Sequence, residues 1–182
     1  MSRIIYINGE FVDESEAKIS VFDRGFLFAD SVYEVSAVLG GKAVDNNGHI
    51  ERLFRSLKEL GIKHSYKTEQ IIAAQAELIK QNDLTEGVIY IQVTRGHEER
   101  DFIYSADISP NFVMITQNKS ILGNPLAESG VKACSLPDIR WKRCDIKSTA
   151  LLAQVLAKNE AKQKGCFEAW MVDADGLQMH IL

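Results

Sequence analysis

The sequence predicts an α+β fold, with hairpins and helices grouped rather than strictly alternating. Three stretches point there. Asn8-Gly9 separates two apolar runs, RIIYI and EFVD, which is the strongest short-range hairpin signal. HIERLFRSLKELG places Ile50, Leu53, Phe54, Leu57 and Leu60 on one helical stripe. GVIYIQVTRG alternates, so Ile89, Ile91 and Val93 face one way, as in a half-buried strand.

The remaining elements follow in order. A second pair of strands flanks Gly40-Gly41, with SVYEVSAVL before it and KAV after it. The first long helix is expected to take Asn46 or Asn47 as its cap and to stop at Gly61. Thr68 is the expected cap of the next helix, in which Ile71, Ile72, Leu78 and Ile79 recur at a seven-residue step. FVMITQ, residues 112–117, is the expected partner of the alternating strand. The polar, aromatic stretch GHEERDFIYSADISPN between them is long for a hairpin loop, and such loops are usually functional or disordered. NKSILGNPLAESG has the Asn, Ser, Gly and Pro of a linker. Beyond it come a strand in GVKACSL, a helix from about Ser148 to Lys164, a strand in FEAWMVD, a turn at DADG, and LQMHIL. The helix would bury Leu151, Leu152, Val155 and Leu156, and Gly165 would stop it. The expected organisation is an N-terminal α/β domain over 1–117, a linker over 118–129, and the first part of a second domain over 130–182. One helix and two or three strands cannot bury a core alone, so the second domain reads as incomplete.

Composition narrows the function. The chain has 182 residues, 46% of them hydrophobic, and a formal net charge of −4. No basic field suits a nucleic acid, no basic amphipathic helix suits a membrane surface, and no apolar run reaches the roughly 20 residues of a span. MSRIIYINGEF has no apolar signal region, so a cytoplasmic protein is expected. Cys134, Cys144 and Cys166 lack CxxC spacing, so reduced, buried thiols are expected, with no disulfide frame and no metal site.

The densest chemical signal is RWKRCDIKSTALL, residues 140–152, where Arg140, Lys142, Arg143 and Lys147 crowd ahead of an apolar helix. A lysine is a covalent catalyst when its amine is neutral, and burial and nearby cations both favour that form. If strand alternation holds, Arg143, Asp145 and Lys147 share a face, and Asp145 opposes the effect. A solvated charge run is the competing reading. On the residues alone, Arg52 reads as an exposed helix arginine beside Glu51 and Arg55, Tyr33 equally as a strand aromatic, and Arg100 as a loop charge beside Glu98 and Glu99.

WKRCDIKS followed by TALLAQVLAKNEAKQKGCFEA resembles the cofactor-lysine segment of the fold-type IV (class IV) pyridoxal-phosphate aminotransferases, in the wording of the D-amino-acid (D-alanine) branch. FDRGFLFADSVYEV, HIERLFRS and YIQVTRG resemble further segments of that family, in family order, over nearly all of the chain. The resemblance implies a fold-type IV aminotransferase with a complete two-layer N-terminal domain and a C-terminally truncated second one. It implies pyridoxal 5'-phosphate as cofactor, joined to Lys147 as an internal Schiff base, with Lys147 also moving the substrate's α-proton. It places Arg52 on the cofactor phosphate, His49 and Glu168 near the cofactor, and Tyr33 and Arg100 at the substrate carboxylate. The implied reaction is ping-pong transamination between a D-amino acid such as D-alanine and a 2-oxo acid such as 2-oxoglutarate, in a homodimer. Aminodeoxychorismate lyase and branched-chain aminotransferase activity are the alternatives on the same fold, and an inactive fragment is a third.

The sequence departs from the family pattern in places. Phe102 stands where D-amino-acid members tend to carry a histidine, and Ala29 and Ser31 replace glycines around Asp30. The family's Thr-Glu-Gly segment, whose glutamate pairs with the pyridine nitrogen, is absent after DADG.

Overall fold

The computed structural model describes residues 2–141, 143–173, 175 and 178–181, the side chains of residues 155 and 178–181 excepted. The chain divides into two compact units. The first comprises Met1–Ile121 with Ile146–Thr149, and the second Leu122–Asp145 with Ala150–Leu182.

The first unit is built on a six-stranded antiparallel sheet. Its strands are β1 (Ile4–Ile7), β2 (Glu10–Asp13), β3 (Ser31–Leu39), β4 (Lys42–Ala43), β5 (Glu86–Thr94) and β6 (Asn111–Asn118). Their order across the sheet is β2-β1-β6-β5-β3-β4. The Asn8-Gly9 turn forms as expected, with Ile7 opposite Glu10 and positive φ at both turn residues, 50° and 102°. The β3 and β4 strands meet around Gly40-Gly41, and β5 pairs with β6 from Gly87↔Asn118 to Thr94↔Asn111. At the end of β5, Gly96 (φ 115°) lies so close to the Ser109 carbonyl that any Cβ would collide with it.

Pairing puts Val32, Val93 and Phe112 on one face, with Ile91 and Met114 beside them. Helices α2 (Asn46–Glu59) and α3 (Thr68–Gln81) cover that face. They bury Ile50, Leu53 and Leu57 from α2, and Ile71, Leu78 and Ile79 from α3. Phe54 and Leu60 pack at the margin, and Ile72 lies outside.

The caps differ from expectation. Asp45, in the left-handed region at φ 50°, precedes α2. The Asn46 amide is used elsewhere, exchanging hydrogen bonds of 2.6 and 3.1 Å with Gln75 of α3. Thr68 is the first residue of α3; Lys67 precedes it, and its N–H donates to Gln70 Oε1 at 3.2 Å. A five-residue helix, α1 (Arg24–Phe28), ends at Ala29, whose φ of 55° is the strained conformation a glycine would take without cost.

In the second unit, α4 (Pro125–Ser129) lies within the expected linker. Strands β7 (Ala133–Pro137) and β8 (Glu168–Val172) pair in parallel, with α5 (Leu152–Gln163) as the crossover. Strand β9 (Gln178–Ile181) adds antiparallel to β8. The apolar face of α5 is not the expected one. Ala157 and Ala161 are buried with Leu136, Ala169 and Met171, whereas Leu152 and Leu156 are 71% and 53% exposed. The expected side chain of Val155 lies outside the described residues. Cys144 is exposed rather than buried; Cys134 and Cys166 are half-buried.

Candidate active site

The helix expected from Ser148 starts only at Leu152, because residues before it are drawn onto a strand. β4 pairs with β3 only at Val38 and Leu39, so the opposite end of β3 has a free edge. Ile146–Thr149 occupies it. Tyr33 N–H donates to the Lys147 carbonyl at 3.1 Å, and Thr149 N–H donates to the Ser31 carbonyl at 3.2 Å. Val32 and Ser148 form a bridge, and the Ser31 and Thr149 hydroxyls share a short hydrogen bond. Ile146, 5% exposed, anchors the segment in the core of the first unit. Ser148 is therefore a bridging residue and not a helix cap.

This stitching sets the amine. Lys147 Nζ lies 4.1 Å from the centroid of the Tyr33 ring, which stacks on Tyr90 at 5.6 Å. The Lys147 amine has no hydrogen bond or ion pair among the described residues. The shared face expected for Arg143, Asp145 and Lys147 does not form, because the stretch is a turn and not a strand. Asp145 instead accepts from Arg143 at 2.9 Å. Arg140 pairs with Asp138 at 2.8 Å, so these two cations are each matched by an aspartate. Lys142 lies outside the described residues.

On β3, consecutive residues point to opposite faces. Tyr33 thus faces away from α2, and Glu34 faces it, 1% exposed, beside Ile91 and Met114. A carboxylate there demands partners. Arg52 supplies a bidentate pair, Nε at 2.6 Å and Nη2 at 2.7 Å, and His49 Nδ1 lies 2.9 Å from Oε2. The Glu34 hydrogen bonds raise the Arg52 pKa above its ordinary value, against the opposing effect of burial. Nη1 of Arg52 takes no partner among the described residues, which leaves one edge of a half-exposed guanidinium for an anion.

Glu34 was missed in reading the sequence. Its signal was available: alternation through SVYEVSAVL places it with Val32, Ser36 and Val38 on the apolar side, where a lone acid needs a base. Asp30 is a second such acid. It binds Arg95 through 2.7 and 2.9 Å bonds and Arg24 at 3.0 Å. Arg24 then donates to the Asp101 carbonyl at 2.6 Å, which holds the loop that carries Arg100.

Arg100 lies over the rings of Phe28 and Phe102 at 5.2 and 5.9 Å and has no ion pair among the described residues. Glu98, its expected competitor, turns to Ser105 and accepts from its hydroxyl at 2.7 Å. Glu168 belongs to the second unit, where it takes Lys158 at 2.9 Å and the Ala169 N–H at 2.9 Å. The structure thus brings Lys147 to Tyr33, and Arg52 and His49 to Glu34. A groove of about 770 Å³ beside β4, lined by Lys42, Asn46, Ile72 and Gln75, contains none of these residues.

Known proteins resemble this chain in sequence and in fold. D-alanine aminotransferase of Staphylococcus aureus (strain MSSA476) is 42% identical over 166 residues, which are 91% of this chain and 58% of that protein. The chain thus spans less than two thirds of that relative's length. The Escherichia coli branched-chain amino acid aminotransferase superposes with a TM-score of 0.87 at 20% identity, over 100% of this chain and 61% of that one. The branched-chain aminotransferase of the thermophilic archaeon Thermoproteus uzoniensis, solved with norvaline, gives 0.82 at 24% identity, over 100% and 63%. At these identities the two structures speak for the fold alone. Residues 31–179 match the family model "Amino-transferase class IV", and with the fold and the lysine segment in agreement, the chain belongs to the class IV aminotransferases.

Proposed function

We propose that this chain serves a pyridoxal-5'-phosphate-dependent transamination in which a D-amino acid such as D-alanine gives its amino group to a 2-oxo acid such as 2-oxoglutarate. One observation carries the proposal: an amine without a carboxylate partner among the described residues, held by main-chain bonds at the edge of β3, 4.1 Å from an aromatic ring. Class IV aminotransferases depend on pyridoxal 5'-phosphate. The donor set suits that group, with an amine for its aldehyde and the open edge of the Arg52 guanidinium for its phosphate. When bound, it supplies an electron sink for the bonds at the substrate's α-carbon.

The chain's own residues supply the rest. Lys147 Nζ would hold the cofactor covalently and would move the proton at the substrate's α-carbon. Glu34 orients Arg52 and His49. Tyr33 and Arg100 bind the substrate carboxylate, and the Phe28 and Phe102 rings flank the Arg100 guanidinium. A role for Glu168 toward the cofactor, implied by the family resemblance, stays part of this reading. The domain limits 1–117, 118–129 and 130–182 stay part of this reading. A homodimer belongs to it as well, supported by the strongly exposed Phe26, Phe102 and Ile103.

The D-amino-acid choice rests on the Staphylococcus relative and the Arg-Cys-Asp-Ile-Lys wording at 143–147. The purified chain, loaded with the cofactor, is to be given D-alanine or L-alanine with 2-oxoglutarate. Pyruvate from D-alanine alone supports the proposal. Pyruvate from L-alanine alone refutes the stereochemistry, and cofactor retention without pyruvate from either refutes the activity.

A further inference from the structure

The second unit holds two thiols that the proposed chemistry does not use. Along β7, Cys134 and Leu136 share a face, and both belong to the small cluster formed with Ala157, Ala161, Ala169 and Met171. Cys166 reaches the same cluster from the other side of the crossover. It follows the left-handed turn at Gly165 (φ 67°), and its N–H donates to the Ala161 carbonyl at 2.8 Å. The next residue, Phe167, donates to the Lys132 carbonyl at 2.7 Å, which brings this turn against the start of β7. The Cys166 Sγ donates to the Lys164 carbonyl at 3.8 Å, and both thiols pack against this one cluster as neighbours. Both are half-buried, whereas Cys144 is exposed with its Sγ 2.7 Å from the Trp141 carbonyl.

We propose that Cys134 and Cys166 form a reversible dithiol–disulfide pair that ties β7 to the turn after α5. A small-molecule disulfide such as oxidised glutathione is the oxidant. One cysteine loses its proton and attacks it, expelling one glutathione thiol and leaving a mixed disulfide. The second loses its proton and attacks the protein sulfur of that bond, expelling the other thiol. Two protein S–H bonds become one S–S bond, and the two glutathione thiols carry off two protons and two electrons. Burial, then the Cys166 contact, raises the Cys134 thiol pKa, so the link forms faster as pH rises above neutral.

The test uses the reduced full chain at mildly alkaline pH with oxidised glutathione, followed by trypsin without reductant. Cys134 lies in the peptide 133–140, Cys166 in the peptide that begins at Gly165, and Cys144 in a third. The first two peptides are expected joined, with a mass two hydrogens below their sum, and Cys144 is expected to carry glutathione. Linking should be at least about tenfold faster in the folded chain than in urea, because the fold raises the effective concentration of one thiol at the other. Cys144→Ser should leave the link intact. Separate adducts on Cys134 and Cys166, free thiols at both, a link through Cys144, or equal rates in urea would overturn the proposal.

Discussion

The two units handle the same problem, covering one face of a sheet, with unequal means. In the first, two helices of 14 residues each lay Leu53, Leu57, Leu78 and Ile79 onto a six-stranded sheet. In the second, a 12-residue helix meets a three-stranded sheet through Ala157 and Ala161, while Leu152 and Leu156 face outward. Apolar area removed from water is the main driving force of folding. The first unit is therefore the stable one, and it is also the unit that positions Lys147.

The sharpest way to break this comparison is the same substitution in each unit. Leu53→Ala, at a fully buried site, should cost about 3 kcal/mol through lost burial and a cavity. Leu156→Ala should cost less than about 0.5 kcal/mol, because over half of that side chain is already in water. Urea titrations followed by hydrogen exchange at β5 and β8 would report each unit separately. Equal costs would remove the distinction.

The next effect in size is at Glu34. Glu34→Ala should cost about 2–3 kcal/mol, since it leaves Arg52 and His49 facing an apolar wall without their anion. It should also weaken cofactor binding more than it weakens binding of the dephosphorylated pyridoxal, which has nothing for Arg52 to hold. Uniform weakening of both would mean that Glu34 acts only on the fold.

Alkali offers a gentler contrast. Burial raises the phenol pKa values of Tyr66 and Tyr90 from 10.0 to about 12. A phenol with a raised folded pKa contributes stability that is complete below the unfolded value and is lost as pH rises through the folded one. The first unit should accordingly lose stability from about pH 10 to about pH 12, and Tyr90→Phe should move its midpoint upward. An unchanged midpoint in Tyr90→Phe would contradict the assignment.

The smallest effect is expected at Ala29. Ala29→Gly relieves a left-handed residue and should stabilise by less than about 1 kcal/mol, read as a small rise in urea midpoint. A loss of stability would show that the chain tolerates this φ without strain.

Much of the first unit was legible in the residues, because its signals are local. Asn8-Gly9 permits positive φ, and the 3.6-residue recurrence of Ile50, Leu53 and Leu57 survives in α2. What escaped was set by partners distant in sequence. Ser148 looks like a helix cap until Val32, more than a hundred residues away, claims its backbone. Asn46 looks like a cap until Gln75 takes its amide. The apolar face of α5 was misjudged because leucines outweigh alanines in any pattern, although here the alanines allow the close approach to the sheet. Lys147, Tyr33, Arg52, His49 and Arg100 were singled out through the family resemblance, and the structure brings Lys147 to Tyr33 and Arg52 to His49. Glu34 and Asp30 were not singled out, because what marks each is a base folded against it, Arg52 and His49 at Glu34 and Arg95 at Asp30.

The central claim is that the edge of β3 holds Lys147 so that its amine, and no other, takes an aldehyde coenzyme. The direct measurement is borohydride reduction of the chain mixed with a stoichiometric amount of pyridoxal 5'-phosphate, followed by peptide mapping. The account predicts the coenzyme's mass on Lys147, tryptic cleavage blocked after that residue, and loss of the label in Lys147→Ala. Label spread over other lysines with Lys147 unmodified would contradict it.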